Sequence, residues 1–287
     1  MKCLEDLFMT NSGIREWPLS LTHLTKRLIH LELSNNENLG NFLDSPNKMQ
    51  LVKEIDIPTA NSFDGFLCLR ALHLNYCDEL YFHYFPQLGC LHIFDSNIVS
   101  IPESISRFPK LEKIYIKNCK QLRQIPMLPQ SVRHVVVKKC PLLDPQSSSR
   151  LLNQFGEILG ILPNRVHEGA RSNMLIQCFD SEPDYLVLPG TEIPKCLKFN
   201  HQSFGNSLSF WVGQNFPKIA ICIAFRSAEA YLDKICCVKI SINGCKQEFN
   251  CLCTEESSEE LWLFSKSLGQ LNKPNLSEQN HIEVEVI

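Results

Sequence analysis

The chain has 287 residues, 44% of them apolar and 21% charged, with a formal net charge of −3 and a pI near 6.3. That length favours two domains over one. The slightly acidic balance argues against a nucleic-acid-binding module, which is usually basic, and with no apolar run of about 18 residues no membrane span is expected.

The amino terminus, Met1-Lys2-Cys3-Leu4-Glu5-Asp6, is not followed by the apolar stretch of a signal peptide. The 14 cysteines are therefore read as reduced thiols of a cytoplasmic or nuclear protein. Cys236-Cys237 and Cys251-x-Cys253 lack the paired spacing of zinc ligands and lie in strand-like runs. There cysteine packs as a small hydrophobe, and no metal or cofactor is expected.

From the amino terminus onward a pattern L-x-x-L-x-L-x-x-(N/C) recurs. The clearest copies are Leu28-Leu31-Leu33-Asn36, Leu69-Leu72-Leu74-Cys77, Leu111-Ile114-Ile116-Cys119 and Val132-Val135-Val137-Cys140. Weaker ones are Leu4-Leu7-Met9-Ser12, Val52-Ile55-Ile57 and Leu88-Leu91-Ile93-Ser96. The seven starts, at 4, 28, 52, 69, 88, 111 and 132, lie 17 to 24 residues apart. This is the leucine-rich repeat, which predicts a solenoid of stacked parallel strands with the leucines inside. The Asn/Cys position turns the chain within the core, where an amide or thiol meets backbone groups. Ile98-x-x-Ile101-Pro102 and Leu122-x-x-Ile125-Pro126 predict an extended or tight-turn return instead of a long helix. No polar capping segment precedes the first copy, so either something covers it or it is distorted into a cap.

Residues between the leucines should face outward, on the concave side of the solenoid. In chain order they are Asp6, Phe8, His30, Glu32, Glu54, Asp56, Ala71, His73, Cys90, His92, Lys113, Tyr115, Lys117, His134, Val136 and Lys138. The series runs from acidic to basic and aromatic, as a surface docking a partner in one orientation would. Glu32, Asp56, His73, His92, Lys113, Tyr115, Lys117, His134 and Lys138 are the candidate protein-binding residues.

Leu151, Leu152, Phe155, Ile158 and Leu159 recur at helical spacing behind candidate serine caps and predict a helix covering the last repeat. Residues 163–173 read as a linker. From about 175 the pattern is strands: Tyr185–Leu188 into Pro189-Gly190, an alternation at Leu208, Phe210 and Val212, and an apolar run over Ile219–Phe225. Val238, Ile240 and Ile242 then meet the hairpin signal Asn243-Gly244, with returns through Phe249–Cys253, Leu261–Phe264 and His281–Ile287. A β-sandwich is expected.

Leu188-Pro189-Gly190-Thr191-Glu192-Ile193-Pro194, then His201–Val212, closely resembles the opening of the C-terminal jelly-roll/Ig-like domain (C-JID). That domain follows the repeats in plant disease-resistance receptors of the TIR–nucleotide-binding–leucine-rich-repeat class. The motif positions are Pro189, Gly190, Glu192, Ile193, Pro194, Gly205, Asn206 and Trp211. The resemblance covers nearly the whole chain and implies an α/β leucine-rich-repeat horseshoe over 1–145, a helical cover and linker over 146–174, and an all-β sandwich over 175–287. It also implies protein recognition in innate immunity: contact with a pathogen effector, or with the receptor's own nucleotide-binding region to hold the receptor inactive. The phosphate loop G-x-x-x-x-G-K-[ST] is absent from the sequence, so nucleotide chemistry does not carry over. Family members usually continue past His281–Ile287 into a further strand, so this segment is expected to leave an unpaired edge in a chain truncated at both ends.

No G-x-S-x-G, H-E-x-x-H or C-x-x-C signature assembles, and no enzymatic role is expected. His201 is assigned a structural hydrogen bond, and Trp211, in a strand-core run, a packing role. The alternatives are a stand-alone adaptor or decoy, and a carbohydrate-binding jelly-roll that uses Trp211 and Trp262 as a platform.

Overall fold

The computed structural model describes residues 4–12, 28–34, 68–77, 85–159, 184–190, 201–214, 218–226, 235–252, 259–267 and 276–287. They form two compact units, Met1–Leu152 with Val187–Pro189, and Asn153–Leu186 with Gly190–Ile287.

The first unit is a parallel ladder of five-residue strands: β1 (Asp6–Thr10), β2 (His30–Ser34), β3 (Ala71–Asn75), β4 (Cys90–Phe94), β5 (Lys113–Lys117) and β6 (His134–Lys138). Inward apolar residues occupy alternate positions along each strand, and the apolar rows stack in register. One row is Leu31↔Leu72↔Leu91↔Ile114↔Val135 and the other Leu33↔Leu74↔Ile93↔Ile116↔Val137. Each of these side chains is at most 1% exposed, and burying one stabilises the fold by about 1.5–3 kcal/mol. This stacked-coil arrangement is compatible with a leucine-rich-repeat-like solenoid. It is mostly β, with one α-helix among the described residues, and the expected horseshoe was one with little helix.

The expected copy at Val52–Ile57 lies outside the described residues, and one feature departs from the repeat pattern. In β1 the inward positions Leu7 and Met9 are only half-buried.

The turns after β3, β4, β5 and β6 are built the same way. Tyr76, Asp95, Asn118 and Lys139 all have φ between 51° and 57°, and each precedes the buried Cys77, Ser96, Cys119 or Cys140. Those side chains satisfy backbone carbonyls inside the turn: Ser96 Oγ donates to Phe94 O at 2.9 Å and Cys140 Sγ to Lys138 O at 3.2 Å. Cys77 N donates to Ser96 Oγ of the next coil at 3.1 Å. The cysteines at the N/C position thus meet backbone groups as their position predicts. On the far side of the coils, Ile98, Ile101, Leu122 and Ile125 are buried, a parallel bridge joins Ser100 to Gln124, and one 3-10 helix spans Glu103–Arg107.

Helix α1 (Pro145–Ile158) closes the repeats. Its cap is an aspartate, where the sequence pointed to serines. Asp144 Oδ1 accepts from Ser147 N at 2.6 Å and Asp144 Oδ2 from Ser147 Oγ at 3.1 Å, with Pro145 in the first helical position. Ser147 ties the helix to the coil that begins at Leu111 by accepting from Ile125 N at 3.0 Å, and Arg150 donates to Ile125 O at 2.7 Å. Leu151, Leu152, Phe155 and Leu159 are buried. Replacing Asp144 with Ala removes the cap and should cost about 1 kcal/mol. Thermal unfolding followed by circular dichroism should then show a midpoint roughly 2–4 °C lower.

In the second unit, β8 (Ser207–Gly213), β13 (Gln279–Val286), β10 (Ile235–Ile242) and β11 (Cys245–Leu252) form an antiparallel sheet in the order β11-β10-β13-β8. A second antiparallel pair is made by β9 (Lys218–Arg226) and β12 (Glu259–Ser267). Asn243 (φ 50°) and Gly244 (φ 81°) make the two-residue β10–β11 hairpin expected of Asn-Gly. The core is one apolar cluster. Val238, Ile240, Ile242, Ile282 and Val284 of the four-stranded sheet pack with Ile219 and Phe264 of the pair, flanked by Phe210, Val212 and Ile221. β13 has a partner on each side, so it is not the unpaired edge its place in the sequence led us to expect; β8 and β11 end the sheet.

Candidate recognition surfaces

The strict register of the parallel strands lines up the outward residues in columns. The central column is Phe8, Glu32, His73, His92, Tyr115 and Val136. Adjacent strands sit about 4.8 Å apart, a spacing that lets flat rings stack. His73 and His92 lie 4.1 Å apart and 7° from parallel, His92 and Tyr115 4.7 Å and 22°, and Phe94 meets His92 edge-on at 5.5 Å. A continuous aromatic strip thus runs across β3, β4 and β5, with Lys113 and Lys117 half-buried beside Tyr115 on the same strand.

The strip's charge state follows from its burial. Packing among neighbours holds the His92 imidazole down at about 4, with the adjacent His73 adding to the effect. Burial also lowers His73, opposed by Glu32. Cys90 Sγ lies 3.0 Å from His92 Nε2, and burial pushes its thiol up to about 11. The ring's other nitrogen, Nδ1, is buried with no hydrogen-bond partner, which costs about 1–3 kcal/mol.

The other candidates fall elsewhere. His134 and Lys138 were expected on the open face, but they are 8% and 4% exposed. β6 is not the edge of its unit, because Val187–Pro189 of β7 (Asp184–Pro189) lies next to it in the sheet. Glu32 lies in the column beside His73, and Asp6 pairs with His30 at 2.5 Å. Glu54 and Asp56 lie outside the described residues. Phe94, which shares the outward parity of Lys117 and Lys138, was overlooked in the sequence, although the repeat period assigns it to this face.

Of the Pro-Gly motif, Pro189 ends β7 and Gly190 has φ 117°, a conformation reserved for glycine, with its N–H donating to Glu259 O at 2.8 Å. Glu192, Ile193 and Pro194 lie outside the described residues. Gly205 and Asn206 form the approach to β8, where Asn206 O accepts from Val286 N at 2.7 Å. His201 stacks on Phe210 at 4.2 Å, a ring contact where a hydrogen bond was expected. Trp211 is not packed in a core: it is 63% exposed and lies 4.7 Å from the His281 ring. Trp262 is buried and donates to Glu260 Oε2 at 2.9 Å.

Among the described residues no group of three or more His, Cys, Asp or Glu side chains is placed to hold a metal ion, and no helix is long and apolar enough to cross a membrane. No protein-family model matches the chain. Two curated proteins of Arabidopsis thaliana are similar to parts of it. Disease resistance-like protein CSA1 is 22% identical over 218 residues, 66% of this chain and 17% of that protein. Disease resistance-like protein DSC1 is 25% identical over 165 residues, 47% of this chain and 13% of that one. Both are plant disease-resistance-like proteins. The chain spans less than a fifth of the length of either relative.

Proposed function

We propose that this chain is a protein-recognition module acting in plant defence, and that it captures its partner on the aromatic strip of the parallel ladder. The observation that carries this reading is the His73–His92–Tyr115 stack, with Lys113 and Lys117 alongside. Aromatic side chains give a rigid contact area at little entropic cost, and the lysines set sign and approach. The partner that fits is a protein segment bearing carboxylates and an aromatic or apolar anchor. A pathogen effector and the nucleotide-binding region of a larger receptor are the two sources the resemblance to disease-resistance receptors implies.

The similarity to two disease-resistance-like proteins supports the defence role, and the stacked coils support leucine-rich repeats over 1–145. Two antiparallel sheets around one apolar cluster support reading residues 175–287 as the jelly-roll/Ig-like domain that follows such repeats. A cytoplasmic or nuclear module without catalysis of its own fits these features.

Fluorescence anisotropy with labelled peptides rich in Asp, Glu and Tyr, at about 50 and 200 mM salt, tests the strip. The double substitution Lys113→Glu, Lys117→Glu should weaken binding at least tenfold and flatten its salt dependence. Equal affinity and equal salt dependence before and after charge reversal would reject the strip as the binding face.

A further inference from the structure

The outward face of the four-stranded sheet in the second unit carries a cluster that protein capture on the ladder does not use. Ser209 and Trp211 of β8 stand directly across from Glu283 and His281 of β13. Ser209 Oγ is 2.7 Å from His281 Nε2, Glu283 Oε1 is 3.9 Å from His281 Nδ1, and the Trp211 ring leans on the imidazole at 35°. Serine, histidine and glutamate in this order evoke a hydrolytic triad, but the surroundings do not support one. Backbone N–H groups of a strand lie in the plane of the sheet, so none points above the face to hold an oxyanion over Ser209.

We infer that this face is a binding site for a neutral oligosaccharide, with Trp211 as the stacking plate and Ser209, His281 and Glu283 as hydrogen-bonding partners for the hydroxyls. Three observations point to a sugar. Trp211 is a lone, mostly exposed indole in a polar field, with Ser207, Ser209, Glu283 and Glu285 exposed on the same face; the core of a protein interface would gather several apolar side chains instead. The face mixes signs, with Lys239 bonded to Glu248 at 3.1 Å and directly across from Glu285, so it presents no single-sign patch that would select a charged ligand. The indole and imidazole together form a broad aromatic plate beside acceptors and donors, which suits a pyranose whose hydroxyls are all equatorial. Such a ring turns a flat C–H face to the aromatic and its hydroxyls to the rim. β-1,4-linked glucose units have this shape.

The test is titration of the full chain with cellohexaose, following tryptophan emission. A saturable change at millimolar or lower concentration is expected. Trp211→Ala should abolish it and Trp211→Phe should retain part of it, both with an unaltered far-UV circular dichroism spectrum. Glu283→Gln and His281→Ala should each raise Kd about tenfold. No saturable change, or binding that survives Trp211→Ala, overturns the inference. Binding of the acidic peptides that is lost on Trp211→Ala but kept after reversal of Lys113 and Lys117 also overturns it, because the face would then belong to a protein partner.

Discussion

Phe108→Ala is expected to destabilise the first unit by about 3–5 kcal/mol, the largest effect of any single substitution considered. The ring is fully buried and meets Phe85 edge-on, with centroids 5.6 Å apart, so truncation removes both the transfer energy and an aromatic pair worth about 0.5–1.5 kcal/mol. Phe108 also fixes the path between two coils: its N–H donates to Ile105 O at 3.1 Å, and its carbonyl accepts from Leu111 N at 3.3 Å as the next coil begins. A cavity at this point is flanked by close-packed leucines that cannot collapse into it without breaking strand register. Whole domains are stable by only about 5–15 kcal/mol, so the variant should lose much of its margin. Urea denaturation followed by circular dichroism would show it, with Phe108→Leu falling between wild type and Ala. A loss below about 1 kcal/mol would mean that the ring is not a packed element of the core.

Acid should weaken the first unit through His92. Burial holds its folded-state pKa at about 4, against about 6.5 in an unfolded chain. A depressed histidine binds its proton more readily when unfolded. Its contribution to stability is therefore complete above pH 6.5, falls as pH drops from 6.5 to about 4, and is then exhausted. The ring is partly open to solvent, which screens the effect, so about 1–2 kcal/mol is expected over that window. His73, lowered in the same direction, adds to it; Glu32 works against that addition. The variant His92→Phe keeps a ring in the stack and removes the titration. Its denaturation midpoints between pH 7 and 4 should fall less than those of the wild type, and equal slopes for the two proteins would disprove the assignment.

Much of the fold was legible because its signals are local. Leu72 and Leu74, or Ile114 and Ile116, alternate with polar neighbours and need nothing beyond period two to be placed inside. Cys119 and Cys140 follow at a fixed offset, and Asn243-Gly244 names its own turn. The misreadings arose where distant chain decides. His134 and Lys138 look outward by parity, yet a strand some fifty residues later lies against β6. Trp211 was readable and was misread: with Leu208, Phe210 and Val212 pointing inward, alternation alone sends Trp211 outward. The pairing of Ser209 with Glu283 across more than seventy residues was beyond any local signal, since it depends on which strand β13 chooses as neighbour.

The turn that ends each coil has a direction. Tyr76 N donates to Phe94 O, Asp95 N to Lys117 O and Asn118 N to Lys138 O, at 2.9 to 3.1 Å, so each of these three coils finishes its corner on the carbonyl of the coil that follows. A copy inserted in the middle of such a row arrives with one donor and one acceptor and leaves both junctions as they were. Removal of the last acceptor leaves an amide with nothing to hold. Genetic duplication can therefore lengthen this row from within, one whole step at a time, while its terminal coils stay under constraint. The width of the ladder's outward face can then change in whole steps without any change in how a coil is made.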